Sequence, residues 1–165
     1  MYDLRQFKPT LYVLLLLGMS GFALAMESPG ILLVGVCGIG VNAALVASGR
    51  FRPLPRLLAN LATLAAVAYI GQELATSHMT PVMVVGQFLV FLQLVKIWEQ
   101  RANRDYAQLL ILSLLLMVAA SMNTASMWFG LILVAYLFLS LYCCLLFHLK
   151  VETDAAQAAM AVSPE

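Results

Sequence analysis

The sequence predicts an all-α membrane protein, a bundle of about six transmembrane helices with both termini in the cytoplasm. Of its 165 residues, 63% are hydrophobic and only 10% are charged, whereas an average soluble domain has roughly 25% charged residues. The apolar residues form long continuous runs without the alternation that marks β-barrel strands. Helices fit these runs because unpaired backbone groups in lipid cost several kcal/mol each. The lysines and arginines fall in alternate connections between the runs.

Six runs are long enough to cross the roughly 30 Å hydrocarbon core, which takes a helix of about 20 apolar residues. They are residues 10–26, 30–48, 57–74, 81–98, 106–122 and 124–149. Pro29 and Pro81 lie where helices begin, a position that tolerates the missing N–H. Residues 1–150 are therefore expected to form one six-helix transmembrane domain, followed by an alanine-rich cytoplasmic tail, 151–165.

The direction of the bundle follows from the nine lysines and arginines. All of them lie before span one, between spans two and three, between spans four and five, or after span six. The other side of the membrane receives Glu27, Glu73 and His78 instead. Because short loops rich in lysine and arginine stay in the cytoplasm, we expect both termini to be cytoplasmic.

The first span has a second interpretation, as a cleaved signal peptide. Arg5 and Lys8 precede its apolar run, and an A-x-A cleavage site ends at Ala25. Cleavage would leave five spans without changing the sidedness of the later loops. Gly18 and Gly21 suit close helix packing, and on that ground we favour an uncleaved first span.

Two spans carry small residues at four-residue spacing, the pattern that lets membrane helices approach each other closely. In span two these residues are Gly40, Ala44 and Ser48, and in span three they are Ala62 and Ala66. We expect spans two and three to pack as a close antiparallel hairpin about these faces.

Polar side chains also lie within the spans, and they permit two interpretations. They can line a substrate path, or they can form interhelical hydrogen bonds. A pump or proton-coupled transporter usually has an ionisable group near the centre of a span, and no carboxylate or arginine lies there in this sequence. We therefore favour interhelical hydrogen bonding for Asn42, Asn60, Gln72, Gln87, Gln93, Gln108 and Ser113.

The segment between spans four and five carries the most informative charges. On a helix, Lys96 lies three residues from Glu99 and Arg101 lies four from Asp105, so both pairs can form. Asn103 or Asp105 can cap span five, and Asp105 would complement its helix dipole. The plainer interpretation is an interfacial loop that sets topology. The alternative is a docking or lipid-headgroup site formed by Lys96, Glu99, Arg101, Arg104 and Asp105.

Other chemistry is sparse in this sequence. Cys143, Cys144 and His148 lack a recognised metal-ligand spacing, and no serine, cysteine or histidine is grouped with a base. There is no glycine-rich phosphate loop. We therefore expect no catalytic residue, cofactor or metal, and the net charge of +1 argues against a nucleic-acid partner.

The charged segment gives the sequence a resemblance to a known family. Residues 87–99, QFLVFLQLVKIWE, followed by Arg104-Asp105-Tyr106 and the leucine-rich fifth span, resemble the N-terminal membrane domain of bacterial transglutaminase-like membrane proteins of the TgpA type. Residues 141–154, LYCCLLFHLKVETD, are similar to the end of that domain's sixth span. The resemblance covers nearly the whole chain, and its specific part is the K-x-x-E…R-D-Y segment.

The resemblance implies a larger architecture in the bacterial cytoplasmic (inner) membrane. Family members continue with a further span, an extracytoplasmic transglutaminase-like domain with a Cys-His-Asp triad, and usually a C-terminal span. These 165 residues contain neither the further span nor that domain, and Cys37, Cys143 and Cys144 do not match the family nucleophile. The chain is then a fragment or a stand-alone membrane domain.

The expected function is therefore that of a non-catalytic membrane anchor and scaffold. Its partners would be the lipid bilayer and, in a longer protein, a covalently linked extracytoplasmic transglutaminase-like domain. The alternative is a small transporter or channel-like protein whose path is lined by Asn60, Gln72, Gln87 and Gln93.

Overall fold

The computed structural model describes residues 7–50, 55–76, 80–99 and 103–162. Within these ranges it contains six α-helices and no strand, and all six are long and apolar enough to cross a membrane. They are α1 (Phe7–Ala25), α2 (Pro29–Ala47), α3 (Arg56–Thr76), α4 (Pro81–Glu99), α5 (Asn103–Ser121) and α6 (Met127–Val162). The all-α fold class and the six spans are confirmed. The ends of the helices lie within three residues of those predicted, except at the end of α6.

A tight turn joins α1 to α2. Glu27 adopts a left-handed conformation with φ of 50°, and the backbone N–H of Ser28 donates to the carbonyl of Ala23 at 3.1 Å. This bond satisfies one of the carbonyls left free at the end of a helix. Pro29 then begins α2, as its position in the sequence predicted. A connection this short makes α1 and α2 antiparallel neighbours.

The first helix lies at the centre of the bundle. It packs against α2, α5 and α6, and half of its residues are buried, against 6% in α3. A second set of contacts surrounds α4, which packs against α2, α3 and α5. The interior is therefore built on α1, α4 and α5, and the other three helices lie around it. Cleavage after Ala25 would remove the most buried helix of the bundle.

A glycine of α4 makes room for an aromatic ring of α1. The ring of Phe22 is fully buried and lies against Gly86, where a Cβ atom would overlap the ring. Lipid tails are as apolar as leucine, so helices in a membrane associate through close packing of this kind rather than through the hydrophobic effect.

The predicted close hairpin between spans two and three is not formed in the described structure. The helix α3 packs against α4, and α2 packs against α1 and α4. On α2, Gly40 faces open space, and Ala44 and Ser48 are exposed. On α3, Ala62 and Ala66 are half-buried beside α4. The small-residue spacing identified a packing face on α3, but spacing alone does not identify the partner helix.

The last helix is longer than predicted. It continues beyond residue 149 to Val162, so residues 151–162 extend the sixth span as helix. At about 1.5 Å per residue its 36 residues measure roughly 54 Å, well beyond the roughly 30 Å of a hydrocarbon core. Several turns of α6 therefore project from the membrane.

Candidate interaction site at the basic end of the bundle

Successive helices run in opposite directions, so the start of α5 and the last turns of α6 meet at one end of the bundle. The described lysines and arginines lie at this end, which we call the basic end: Lys8, Arg50, Lys96, Arg104 and Lys150. Glu27 and Glu73 lie at the opposite end. The candidate docking segment predicted from the sequence therefore lies at the end of the bundle where the first helix begins and the last helix ends.

The predicted ion pair within the docking segment is confirmed. Lys96 Nζ lies 2.7 Å from Glu99 Oε2, and the two side chains are 25% and 18% exposed. The pair lies in the last turn of α4, so its two charges neutralise each other at the membrane surface. Arg101 lies outside the described residues, and with it the predicted Arg101–Asp105 pair.

The first turn of α5 carries the other two described charges of the docking segment, Arg104 and Asp105. Asp105 lies there, where a carboxylate stabilises the positive end of the helix dipole. Arg104 is exposed on the same turn. Arg104 is therefore an exposed cation at the basic end. Asp105 lies in the first turn of α5, as predicted.

A triangle of side chains joins α5 to α6 at the basic end. Asn103 donates from Nδ2 to Asp154 Oδ2 at 2.9 Å and accepts at Oδ1 from Lys150 Nζ at 2.6 Å. Lys150 and Asp154 close the triangle with an ion pair of 2.8 Å. The sequence interpretation considered Asn103 only as a helix cap. The i,i+4 spacing of Lys150 and Asp154 was the available signal for their pairing, but nothing local linked them to Asn103.

Aromatic rings close the interior beneath this triangle. Lys150 Nζ lies 5.7 Å above the centre of the Tyr106 ring, within the range of a cation–π contact. Phe7 meets Tyr106 edge-on, with ring centres 5.4 Å apart, and lies 5.8 Å from Phe147. The start of α1, the start of α5 and the outer part of α6 are thus held together at one level.

Interhelical hydrogen bonds lie deeper in the bundle, as the sequence predicted for Asn42 and Ser113. Tyr12 donates from its hydroxyl to Asn42 Oδ1 at 2.8 Å, and Asn42 Nδ2 donates to the Ile97 carbonyl at 3.1 Å. Since α4 ends at Glu99, this carbonyl is among the last four of its helix, which lack an intrahelical donor. Tyr136 donates to Ser113 Oγ at 3.1 Å.

The predicted interhelical hydrogen bond is not formed at Gln93, and the other amides of the spans are dispersed. Gln93 is fully buried, yet neither of its polar side-chain atoms has a hydrogen-bond partner in the described structure, and Gln108 Oε1 has none either. Asn60 and Gln72 are exposed on α3, and Gln87 is half-buried on α4. The four amides considered as the lining of a transport path therefore do not face one common passage: two lie on the outer surface of α3, and the other two are half-buried or buried on α4.

The three cysteines likewise do not share one environment. Cys143 is buried, whereas Cys37 and Cys144 are exposed. Across the four described ranges, no group of three histidine, cysteine, aspartate or glutamate side chains lies close enough to hold a metal ion.

The described residues form six membrane-length helices, of which the first is the most buried, with an apolar core and a charged end; this is a multi-pass membrane domain. The chain matches the family model described as the TgpA N-terminal domain over residues 10–163. It belongs to this family, and the resemblance based on the K-x-x-E…R-D-Y segment is confirmed. No curated protein and no solved structure matches the chain.

Proposed function

We propose that this chain is a membrane-anchoring scaffold for a transglutaminase-like domain and is not itself catalytic. The observation that carries the proposal is the family match, which extends from the first turn of α1 to the end of α6. The match thus covers all six membrane-length helices. In this proposal the chain supplies the membrane part of a TgpA-type protein, and the enzymatic part is covalently linked in a longer protein or encoded separately.

The interior of the bundle supports a scaffold role. Its core side chains form one continuous apolar cluster that includes residues of α1, α2, α4, α5 and α6. Asn42 joins three helices through two hydrogen bonds, and Asn103 joins the start of α5 to α6. These contacts between helices favour one arrangement of the bundle, which suits an anchor that positions another domain.

The transporter alternative draws no support from the positions of its candidate residues. A path requires polar groups that converge on one passage through the bundle. Asn60 and Gln72 are exposed on α3, while Gln93 is enclosed between helices. Replacing Asn60, Gln72, Gln87 and Gln93 together by leucine is expected to leave cellular function intact. Loss of a transport phenotype in a variant that is still inserted at wild-type level would favour the transporter instead.

We place the basic end in the cytoplasm of a bacterial inner membrane, with both termini on that side. The positive-inside rule supports this orientation, because the described lysines and arginines lie at one end of the bundle. Alkaline phosphatase fused after Glu27 is expected to be active, and the same reporter fused after Arg50 is expected to be inactive. The reverse pattern would contradict the orientation.

We propose a smaller docking site than the five-residue segment predicted from the sequence. Lys96 and Glu99 are paired with each other, so neither presents a full charge. Among the described residues of the segment, Arg104 is the exposed cation, and it is the residue we assign to contact with a partner or a lipid headgroup. Arg104→Ala tests this role, with Lys8→Ala as a matched removal of another exposed cation at the same end.

A domain exchange tests the function as a whole. The membrane domain of a full-length TgpA-type protein is replaced by this chain or by an unrelated six-span domain of the same orientation. Both chimeras are expected to insert, but only the chimera with this chain is expected to retain the activity of the transglutaminase-like domain. Equal activity of the two chimeras would mean that this chain only anchors the transglutaminase-like domain and does not position it. An inserted but inactive chimera with this chain would contradict the scaffold.

A further inference from the structure

A cavity of about 400 Å³ opens at the end of the bundle opposite the basic end. It lies where α1 ends and where α2 and α6 begin. Each of these helices supplies one large apolar side chain to its wall: Leu24 of α1, Leu32 of α2 and Ile132 of α6. The anchoring function proposed above makes no use of this cavity.

Three further side chains that line the cavity carry oxygen atoms: Ser20, Glu27 and Ser28. Among the described residues, none bonds to the Glu27 carboxylate, and Ser28 precedes α2 without capping it through its side chain. Ser20 donates from its hydroxyl to the Leu17 carbonyl at 2.9 Å, which leaves the lone pairs of its oxygen free to accept. The three side chains therefore offer hydrogen-bond acceptors, and Glu27 adds a negative charge.

The backbone of the turn between α1 and α2 holds Glu27 beside the cavity. The N–H of Glu27 donates to the Leu24 carbonyl at 3.2 Å, and the N–H of Ser28 donates to the Ala23 carbonyl at 3.1 Å. These two bonds form a Schellman motif, whose left-handed residue is usually glycine. Here that residue is Glu27, with φ of 50°. Because glycine would close this turn with less strain, the backbone gives no reason for a glutamate at this position.

The sequence places no lysine or arginine at the same end of the bundle. The three connections at this end, residues 26–28, 77–80 and 122–126, contain neither residue, and the described lysines and arginines lie at the basic end. A carboxylate beside an apolar wall is stabilised when a cation pairs with it. A permanent positive charge that pairs with Glu27 therefore has to come from outside these 165 residues.

We propose that the cavity binds the side chain of a lysine from the domain that this chain positions, with the ammonium group at Glu27 and the carbon chain against Leu24, Leu32 and Ile132. This inference rests on the scaffold function proposed above, which supplies a domain at this end. Lysine suits the cavity because its ammonium group has three donors and its flexible four-carbon stem packs against apolar surface. A phosphatidylethanolamine headgroup fits less well, because it joins its ammonium to a phosphate whose negative charge would lie close to the same carboxylate.

A labelling experiment on the chain alone tests the cavity. The chain, in nanodiscs of phosphatidylcholine, is treated with a water-soluble carbodiimide and an amine, and amide formation at Glu27 and at Glu73 is measured by mass spectrometry. Glu73 lies at the same end on α3, outside the cavity. Nα-acetyl-lysine amide is expected to raise the ratio of Glu27 to Glu73 labelling about threefold over the ratio given by glycinamide, which lacks the stem. Equal ratios for the two amines would overturn the proposal.

Two lysine substitutions separate the cavity from the general charge of this end. Ile132→Lys places an ammonium group on the cavity wall and is expected to return the ratio to that given by glycinamide. Leu33→Lys, at an exposed position of α2 outside the cavity lining, is the matched control and is expected to leave the ratio unchanged. An unchanged ratio in Ile132→Lys that is inserted at wild-type level would contradict the site.

The chimera of this chain with a transglutaminase-like domain tests the partner. In the active chimera, the carbodiimide alone is expected to link Glu27 to a lysine of that domain. Glu27→Gln is expected to lower the activity about threefold, whereas Glu73→Gln is expected to leave it unchanged. A link from Glu27 to phosphatidylethanolamine in place of the domain would overturn the proposal and assign the cavity to a lipid headgroup.

Failure of this inference is distinguishable from failure of the scaffold function. An active chimera that forms no link at Glu27, and whose activity Glu27→Gln leaves unchanged, would overturn the docking of a lysine but not the scaffold. An inserted but inactive chimera, together with preferential labelling of Glu27 in the chain alone, would contradict the scaffold and the partner assigned here while supporting the lysine site.

Discussion

Asn42 is the residue whose replacement tests the packing of the bundle most directly. Its side chain is fully buried and makes two interhelical hydrogen bonds, from the Tyr12 hydroxyl at 2.8 Å and to the Ile97 carbonyl at 3.1 Å. Asn42→Leu keeps a side chain of similar size and removes both bonds. The variant therefore separates the contribution of hydrogen bonding from that of volume.

The expected loss can be worked out from these two bonds. Interhelical hydrogen bonds in a membrane average about 0.6 kcal/mol each and reach about 1.7 kcal/mol, so the pair is worth about 1 kcal/mol at the average. Removing Asn42 also takes the donor away from the Ile97 carbonyl, and a buried acceptor left without a donor costs about 1–3 kcal/mol. We expect Asn42→Leu to lower the free energy of unfolding by about 1–3 kcal/mol.

Gln93→Leu is the matched control for this prediction. It makes a comparable amide-to-leucine change at a fully buried site where neither amide atom has a described partner. Replacing an unpaired buried polar group by an apolar one relieves its desolvation cost. This variant is therefore expected to be neutral, or more stable by about 1 kcal/mol.

The assay is reversible unfolding of the full chain in mixed micelles with increasing sodium dodecyl sulfate, followed by circular dichroism. A double-mutant cycle of Asn42→Leu with Tyr12→Phe is expected to give a coupling of about 0.6 kcal/mol. The reasoning would be refuted if Asn42→Leu were as stable as the wild type. It would also be refuted if Gln93→Leu were destabilised as strongly as Asn42→Leu.

Three further predictions concern other contacts. Gly86→Leu would force a side chain into the Phe22 ring and is expected to cost about 1–3 kcal/mol in the same assay. The loss should shrink when Phe22→Ala is added, and an equal loss with and without Phe22 would argue against the contact. Asn103→Ala removes two bonds to α6 and is expected to speed hydrogen exchange in residues 150–162, with Asn123→Ala, outside that contact, as the control. Reversal of Glu99 and Asp105 to lysine in a full-length family protein is expected to disturb assembly but not insertion. Wild-type assembly and activity in that variant would mean that the segment only sets topology. As a control, the exchange Lys96→Glu with Glu99→Lys should retain the ion pair between positions 96 and 99.

The features that depend on local sequence could be predicted. The six spans follow from runs of apolar residues, and the Lys96–Glu99 pair follows from a spacing of three on one helix. Asp105 in the first turn of α5 is equally local. These interactions require no knowledge of which helices are neighbours.

The features that depend on helix arrangement could not be predicted in the same way. The partner of the α3 small-residue face is α4 rather than α2. The Tyr69 and Phe91 rings meet edge-on across that interface, with centres 6.2 Å apart, and no spacing within either helix indicates this pairing. Asn103 and Asp154 are 51 residues apart in the chain. Polarity alone likewise does not separate Asn42, which makes two interhelical hydrogen bonds, from Gln93, which is buried without a hydrogen-bond partner in the described structure.

The central position of α1 has a consequence for biogenesis. This helix is synthesised first, yet two of its three packing partners, α5 and α6, are the last to be made. At about 5–20 residues per second, the roughly 80 residues between the end of α1 and the start of α5 take on the order of 4–16 s to translate. During that interval α2 is the only one of these three packing partners that has been made. The assembly step that completes the bundle is therefore the arrival of the last hairpin, so truncation within α5 is expected to leave an inserted but incompletely packed first helix.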